Sequence, residues 1–108
     1  YTGKYIILSE SSIDHYIVYR VKINSPADSE KMVLLSPKND DCNWTSKIKV
    51  GSSYNFNLTK LMYIEIEEGV TVSLSRGQSI DGIKLSDGKN YPYLIENSCN
   101  GKVKSNLD

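Results

Sequence analysis

The side chains in this sequence that could do chemistry are two cysteines, one histidine and small sets of acidic and aromatic residues. His15 is the only histidine, so a histidine-based triad or metal site would depend on it alone, and a surface role near a strand start is the simpler interpretation. Neither cysteine has a second cysteine or histidine at ligand spacing. The carboxylates of Asp40 and Asp41 beside Cys42 disfavour a reactive thiolate. We therefore expect no enzyme activity, no cofactor and no metal site.

Cys42 and Cys99 both lie in polar, loop-like surroundings, where buried free thiols would be unusual. An even cysteine count in a small β-rich chain is compatible with one disulfide formed in an oxidising compartment. Two unrelated thiols are the alternative. In the chain-entropy model, closing the loop between the two residues would stabilise the fold by about 4 kcal/mol. The favoured disulfide predicts an extracellular or cell-surface location for a secreted protein.

Acidic residues are grouped in two places, at Asp40-Asp41 and at Glu65, Glu67 and Glu68. Two carboxylates are the minimum for glycoside hydrolysis or calcium binding. No calcium-loop motif is present, and nothing in the sequence fixes a carboxylate pair at a working distance. A solvated loop and a solvated strand face explain these groups better, although Asp40 and Asp41 remain candidate binding residues.

Eight tyrosines accompany one tryptophan and one phenylalanine. Aromatic faces can stack on bases or sugars, but most of these side chains are expected in the core. The candidates for ligand contact are Trp44, in a polar loop, and Tyr91 and Tyr93, which flank a proline. Trp44 is the strongest of the three, although it could instead cover the disulfide.

Composition limits the class of protein and of partner. A chain of 108 residues with 39% apolar and 24% charged residues has the size and composition of one globular domain. Thirteen basic residues balance thirteen acidic ones, and no basic run occurs, so nucleic acid is a disfavoured partner. No apolar stretch approaches the roughly 20 residues of a membrane span. We expect a single β domain over residues 1–108, with a polar tail from about Gly101.

Strand signals follow one another along the chain. Residues 5–8 predict an initial or edge strand, and Tyr16–Ile23 predicts a longer one. The apolar residues of the longer strand change from even to odd positions along it. We therefore expect a bulge or bend near Tyr19 and Arg20, which would keep all of these apolar side chains on one core. Residues 59–68 fit a helix or a strand, and their alternation favours the strand. Further strands are predicted at residues 31–36, 47–50, 54–58 and 91–95.

Turn signals separate these strands. Residues 24–30 predict a loop with at most one short helical turn. Asp81-Gly82 and Asp87-Gly88 are hairpin signals and predict a meander in the last third of the chain. Short strands with frequent turns indicate an all-β protein, either a small antiparallel barrel or, alternatively, a β-sandwich.

The order of these elements resembles the OB fold, and it is similar to the netrin-like modules of secreted proteins. The resemblance is carried by the strands at Tyr16–Ile23 and residues 31–35, by residues 50–58, and by the late Cys99. It implies a small barrel and an extracellular recognition module. The metalloproteinase-inhibiting members of that family act through an N-terminal cysteine. Here no cysteine precedes Cys42, so that mechanism is not carried over.

The sequence leads to two hypotheses of function from different classes. The first is a non-enzymatic, secreted or cell-surface binding module that recognises a protein or glycan through loop residues. The alternative is a single-stranded nucleic-acid-binding OB fold that stacks bases on Trp44, Tyr91 and Tyr93, with affinity that falls steeply with salt. An enzyme built on the acidic residues is the least favoured hypothesis.

Overall fold

The computed structural model describes residues 2–13, 15–23, 31–67, 69–74, 77–80, 82–86 and 91–103. In this part of the chain the protein is all-β, as predicted, and the described residues contain no helix. The predicted loop at residues 24–30 and the Asp87-Gly88 turn lie outside the described residues. The strands are β1 (Thr2–Ser12), β2 (Tyr16–Ile23), β3 (Lys31–Pro37), β4 (Ser46–Lys47), β5 (Ser53–Lys60), β6 (Tyr63–Glu67), β7 (Val70–Ser73), β8 (Gln78–Ile80), β9 (Ile83–Ser86), β10 (Tyr93–Ile95) and β11 (Lys102–Val103).

Five strands close into a ring in the order β1-β2-β3-β10-β5. The ring closes because β1 pairs with β2 along one edge and with β5 along the other. Every pairing in it is antiparallel except that of β10 with β3, which is parallel. A closed ring satisfies the prediction of a small barrel and not that of a two-sheet sandwich. The predicted meander in the last third is wrong, because β10 leaves the local hairpins and inserts between β3 and β5.

The predicted bulge near Tyr19 and Arg20 is also wrong. Strand β2 pairs with β3 without a register shift, and the shift between β1 and β2 lies in β1, between Ile7 and Ser9. The parity change in β2 has another cause. Tyr19 belongs to a core inside the ring, whereas the neighbouring Val18 belongs to a second core on the outer face. Because both faces of β2 are covered, both parities are apolar.

The inner core is formed by inward-facing side chains of the ring and by Ile48, which follows β4. Its aromatic members include Phe56, whose ring lies 5.6 Å from that of Tyr54 and 6.4 Å from that of Tyr5. The buried members are Tyr5, Ile7, Tyr19, Val21, Leu34, Ile48, Phe56, Leu58 and Ile95.

Two hairpins, β6–β7 and β8–β9, build the second core against the outer face of β2 and β3. Within residues 59–68 the strand interpretation is confirmed for the end of β5 and for β6, which a break at Leu61 and Met62 separates, while Glu68 lies outside the described residues. Gly82 turns the second hairpin with a φ of 80°, as its glycine signal predicts. The buried members are Ile13, Val18, Leu35, Ile64, Leu74 and Leu85.

The segment after β10 differs from the expected polar tail. Gly101 is buried, and β11 pairs with β4 to form a small sheet outside the ring. The strand predicted at residues 47–50 is reduced to Ser46–Lys47, because Ile48 turns into the inner core. Residues 101–103 are therefore part of the fold.

Candidate functional site

The loop between β3 and β4, residues 38–45, is termed here the cysteine loop. A disulfide joins its Cys42 to Cys99, with 6.1 Å between the two Cα atoms, so the predicted pairing is confirmed. Cys99 lies between β10 and β11, and the bond therefore ties the loop to the segment that follows the ring. Such a bond indicates an oxidising environment.

Asparagine side chains fix the cysteine loop in addition to the disulfide. The Asn39 N–H donates to Oδ1 of Asn100 at 2.7 Å, and Nδ2 of Asn100 donates to the Asn39 carbonyl at 2.6 Å. The Asn100 N–H donates to the Pro37 carbonyl at 2.8 Å. Within the loop, Oδ1 of Asn39 accepts from the Asp41 N–H at 2.9 Å, a local turn typical of asparagine. These bonds connect the first half of the loop to the segment that carries Cys99.

Buried hydroxyls support the segment on the other side of the disulfide. Oγ of Ser36 accepts from the Gly101 N–H at 3.0 Å and lies 2.9 Å from Oγ of Ser98. Gly101 has a φ of 71°, and a Cβ there would lie 2.6 Å from the Tyr19 hydroxyl oxygen. Burial, followed by the nearby carboxylate of Glu10, raises the pKa of the Tyr19 phenol. The segment thus rests on the inner core.

An open cleft of about 450 Å³ lies between the cysteine loop and this segment. Trp44 is half-buried in it, and Asp41 is exposed. Lys38 also borders the cleft, but its Nζ donates to the Ser12 hydroxyl at 2.8 Å and to the Ile13 carbonyl at 2.6 Å. The cleft is lined by Pro37, Lys38, Asn39, Asp41, Cys42, Asn43, Trp44, Ser98 and Cys99.

The structure brings only some of the sequence-predicted residues together. Trp44 and Asp41 line the cleft, and Asp40 is exposed beside Asp41 in the same loop. Tyr91 packs against the second core, with Nζ of Lys60 4.6 Å from its ring centroid. Tyr93 packs against the inner core. The three aromatic residues therefore do not form one stacking platform.

Sequence reasoning missed part of the cleft. The role of Asn39 had a local sequence signal, because an asparagine side chain in a loop often accepts a hydrogen bond from the backbone N–H two residues later, here that of Asp41. Asn100 and Ser98 carried none, since their partners Asn39 and Ser36 are more than 60 residues away in sequence.

Two exposed lysines lie near the cleft. Lys47 and Lys102 are directly opposed partners in the β4–β11 sheet, and Lys102 also pairs with Cys99 through backbone hydrogen bonds of 3.0 and 2.9 Å. Sequence analysis assigned Lys102 to a tail and did not predict this pair.

The described residues contain no group of three or more histidine, cysteine or acidic side chains placed to hold a metal ion. In the same part of the chain, no helix is suited to crossing a membrane. Comparisons with protein families, with curated proteins and with solved structures found no match to this chain. The geometry of the cleft is the basis for assigning a function.

Proposed function

We propose that this protein is a non-enzymatic binding module that takes a protein or glycan ligand into the cleft beside the Cys42–Cys99 disulfide. The observation that carries the proposal is the position of Trp44. Its large aromatic side chain is half-buried at an open cleft, among amide and backbone groups that can form hydrogen bonds. An indole with one face accessible can pack against a sugar ring or an apolar side chain while its N–H donates a hydrogen bond.

The cross-links of the cysteine loop support a binding role. Ligand binding costs free energy when mobile side chains or loops must become ordered. Here the disulfide and the reciprocal Asn39–Asn100 hydrogen bonds already order the loop that carries Trp44. A preorganised aromatic side chain is the kind of residue that contributes most to affinity at interfaces.

We also propose that the ring is of the OB type and the protein secreted or held at the cell surface, as the netrin-like resemblance implies. The supporting features are the closed ring of five strands and a crossover that places β10 next to β3. The disulfide supports an oxidising compartment. Fold type does not determine the ligand, so the function rests on the cleft.

The Trp44→Ala variant tests the function. We expect binding to immobilised glycans or extracellular proteins that retain the wild-type protein to weaken about tenfold or more. The protein should stay folded, with a smaller loss in urea midpoint than truncation of a fully buried aromatic residue would cause, because part of the Trp44 side chain is exposed.

Tyr63→Ala is the matched control. It removes an aromatic side chain that is 63% exposed on β6, and Tyr63 does not line the cleft. Binding that survives Trp44→Ala unchanged, or that Tyr63→Ala abolishes, would contradict the proposal.

A further inference from the structure

The β4–β11 sheet places two lysines directly opposite each other, next to the disulfide segment. It consists of two residue pairs, Lys47 with Lys102 and Ser46 with Val103. Val103 packs against the inner core, which gives that pair a structural role. The two lysines are exposed, and like charges directly opposed across strands destabilise a sheet. This two-pair sheet therefore carries an unfavourable pair of cations.

This lysine pair is connected, through strand pairing and along the chain, to residues that line the proposed cleft. Lys102 exchanges two backbone hydrogen bonds with Cys99, whose side chain lines the cleft. Directly paired residues project to the same side of a ladder, which places the Lys102 side chain on the side of the disulfide. On the other strand, Lys47 follows Trp44 by three residues.

The cations near the cleft outnumber the anions that could neutralise them. Neither Lys47 nor Lys102 forms an ion pair with a described residue. The ammonium group of Lys38 donates hydrogen bonds to a hydroxyl and a carbonyl, and these neutral acceptors do not neutralise its positive charge. The carboxylates in this region are Asp41, which lines the cleft, and Asp40 beside it in the same loop, against the three lysines. The lysine pair is therefore free to receive an anionic group from a ligand.

Building on the proposed function, we propose that the ligand of the cleft is an anionic glycan. One sugar ring packs on Trp44, and a sulfate or carboxylate group of the same chain lies between the ammonium groups of Lys47 and Lys102. Bringing a ligand anion to this place also relieves the repulsion between the two lysines.

Intrinsic fluorescence provides a direct test, because Trp44 is the only tryptophan of the chain. The protein is titrated with three oligosaccharides of matched length: a sulfated heparin fragment, a hyaluronan fragment that carries only carboxylates, and a neutral dextran fragment. We expect the emission of Trp44 to change with at least one anionic chain and not with dextran. The affinity should fall as salt rises, because exposed charges are screened.

The Lys47→Gln/Lys102→Gln variant should bind the anionic chain about three- to tenfold more weakly and lose much of the salt dependence. Its urea midpoint should be equal to or above that of the wild type, since a repulsion has been removed.

The matched control is Lys22→Gln/Lys31→Gln. These two lysines are also directly opposed, in β2 and β3, and the variant removes the same charge away from the cleft. It should bind like the wild type.

Each result separates this inference from the function on which it rests. A heparin response tenfold stronger than the hyaluronan response identifies sulfate as the recognised group, and the reverse identifies carboxylate. Equal binding of dextran, with dependence on Trp44, would overturn the charge inference and leave the cleft function standing. Loss of binding in Lys22→Gln/Lys31→Gln alone would overturn it as well. Failure of both anionic chains to bind would end the anionic-glycan proposal, while the Trp44→Ala test on other ligands would still stand.

Discussion

The backbone at Gly101 has no room for a side chain. Its φ of 71° is unfavourable for other residues, and an added Cβ would lie 2.6 Å from the Tyr19 hydroxyl oxygen and 2.9 Å from Cδ1 of Ile17. The same residue donates its N–H to Ser36 and precedes β11. A single glycine thus determines how closely the disulfide segment approaches the inner core.

Gly101→Ala should therefore destabilise the protein by about 3 kcal/mol, the sum of a left-handed backbone penalty and overpacking. Gly51→Ala is the control, because Gly51 also has a positive φ but a Cβ added there would meet no atom within 4 Å. It should cost only about 1 kcal/mol. Urea unfolding measures both changes, and equal costs at the two positions would show that the close contact with Tyr19 is unimportant.

Tyr19→Phe tests the same contact from the other side. The Tyr19 hydroxyl is buried and makes no hydrogen bond to a described residue, so its removal alone should change stability by no more than about 1 kcal/mol. In the double variant it should recover part of the Gly101→Ala cost. Additive costs would contradict direct contact between these two positions.

The two hairpins that follow β5, β6–β7 and β8–β9, pack into the second core. Leu74, the residue after β7, is fully buried in that core, and its carbonyl accepts from the Ser86 hydroxyl at 2.9 Å. The cleft residues belong to other elements. Stability and ligand binding should therefore respond separately to changes in the second core.

Leu74→Ala is expected to cost about 2–5 kcal/mol by leaving a cavity. Leu8→Ala, at a leucine that is 37% exposed, makes the same chemical change and should cost less than about 1 kcal/mol. Urea midpoints test the difference. Under native conditions, the ligand affinity of Leu74→Ala should equal that of the wild type. A weaker affinity in this variant would mean that the second core and the cleft are coupled.

The strands of the ring show how much apolar alternation can predict. Alternation identified most of the ring strands, because a face that packs on a core must be apolar at every second residue. The pattern in β2 was misread, since Val18 and Tyr19 are both buried but in different cores. Odd or even position along a strand indicates which residues share a face, but it does not indicate what packs on the opposite face. The parallel pairing of β10 with β3 had no local signal either, because strand partners distant in sequence share no turn.

The disulfide encloses more than half of the chain. The bond joins residues 57 positions apart, and the enclosed stretch includes every strand from β4 to β10. Cross-linking such a loop limits the unfolded chain more than it changes the folded one. It acts on the stability of the entire protein as well as on the cleft.

Cys42→Ser/Cys99→Ser should lower the free energy of unfolding by about 4 kcal/mol, a large share of the roughly 5–15 kcal/mol typical of a domain. Urea titration of the oxidised protein and of this variant measures the difference. A reductant should shift the unfolding midpoint of the wild type and leave that of the variant unchanged. Equal midpoints for the two proteins would contradict a stabilising role for the bond.

For the candidate site, the sequence predicted the disulfide, the exposed loop and Trp44. These features are local, or follow from the count of a rare residue. The sequence pattern places Asn100 in the polar surroundings of Cys99 and Lys102 in a polar tail, because polar composition alone does not distinguish a solvated segment from one that pairs with distant residues. Their roles depend on partners in the cysteine loop and in β4.

The placement of β10 determines when the ring can form during synthesis. Ribosomes release the N-terminal strands first, and β1, β2 and β3 can pair as soon as they emerge because they are sequential neighbours. The ring cannot close until residues 93–95 are also outside the ribosome, since β10 fills the gap between β3 and β5. Cys99 lies only a few residues beyond β10, so Cys42 cannot pair with it until β10 has also emerged. Closure of the ring and formation of the disulfide thus both wait for the last of the five ring strands to leave the ribosome.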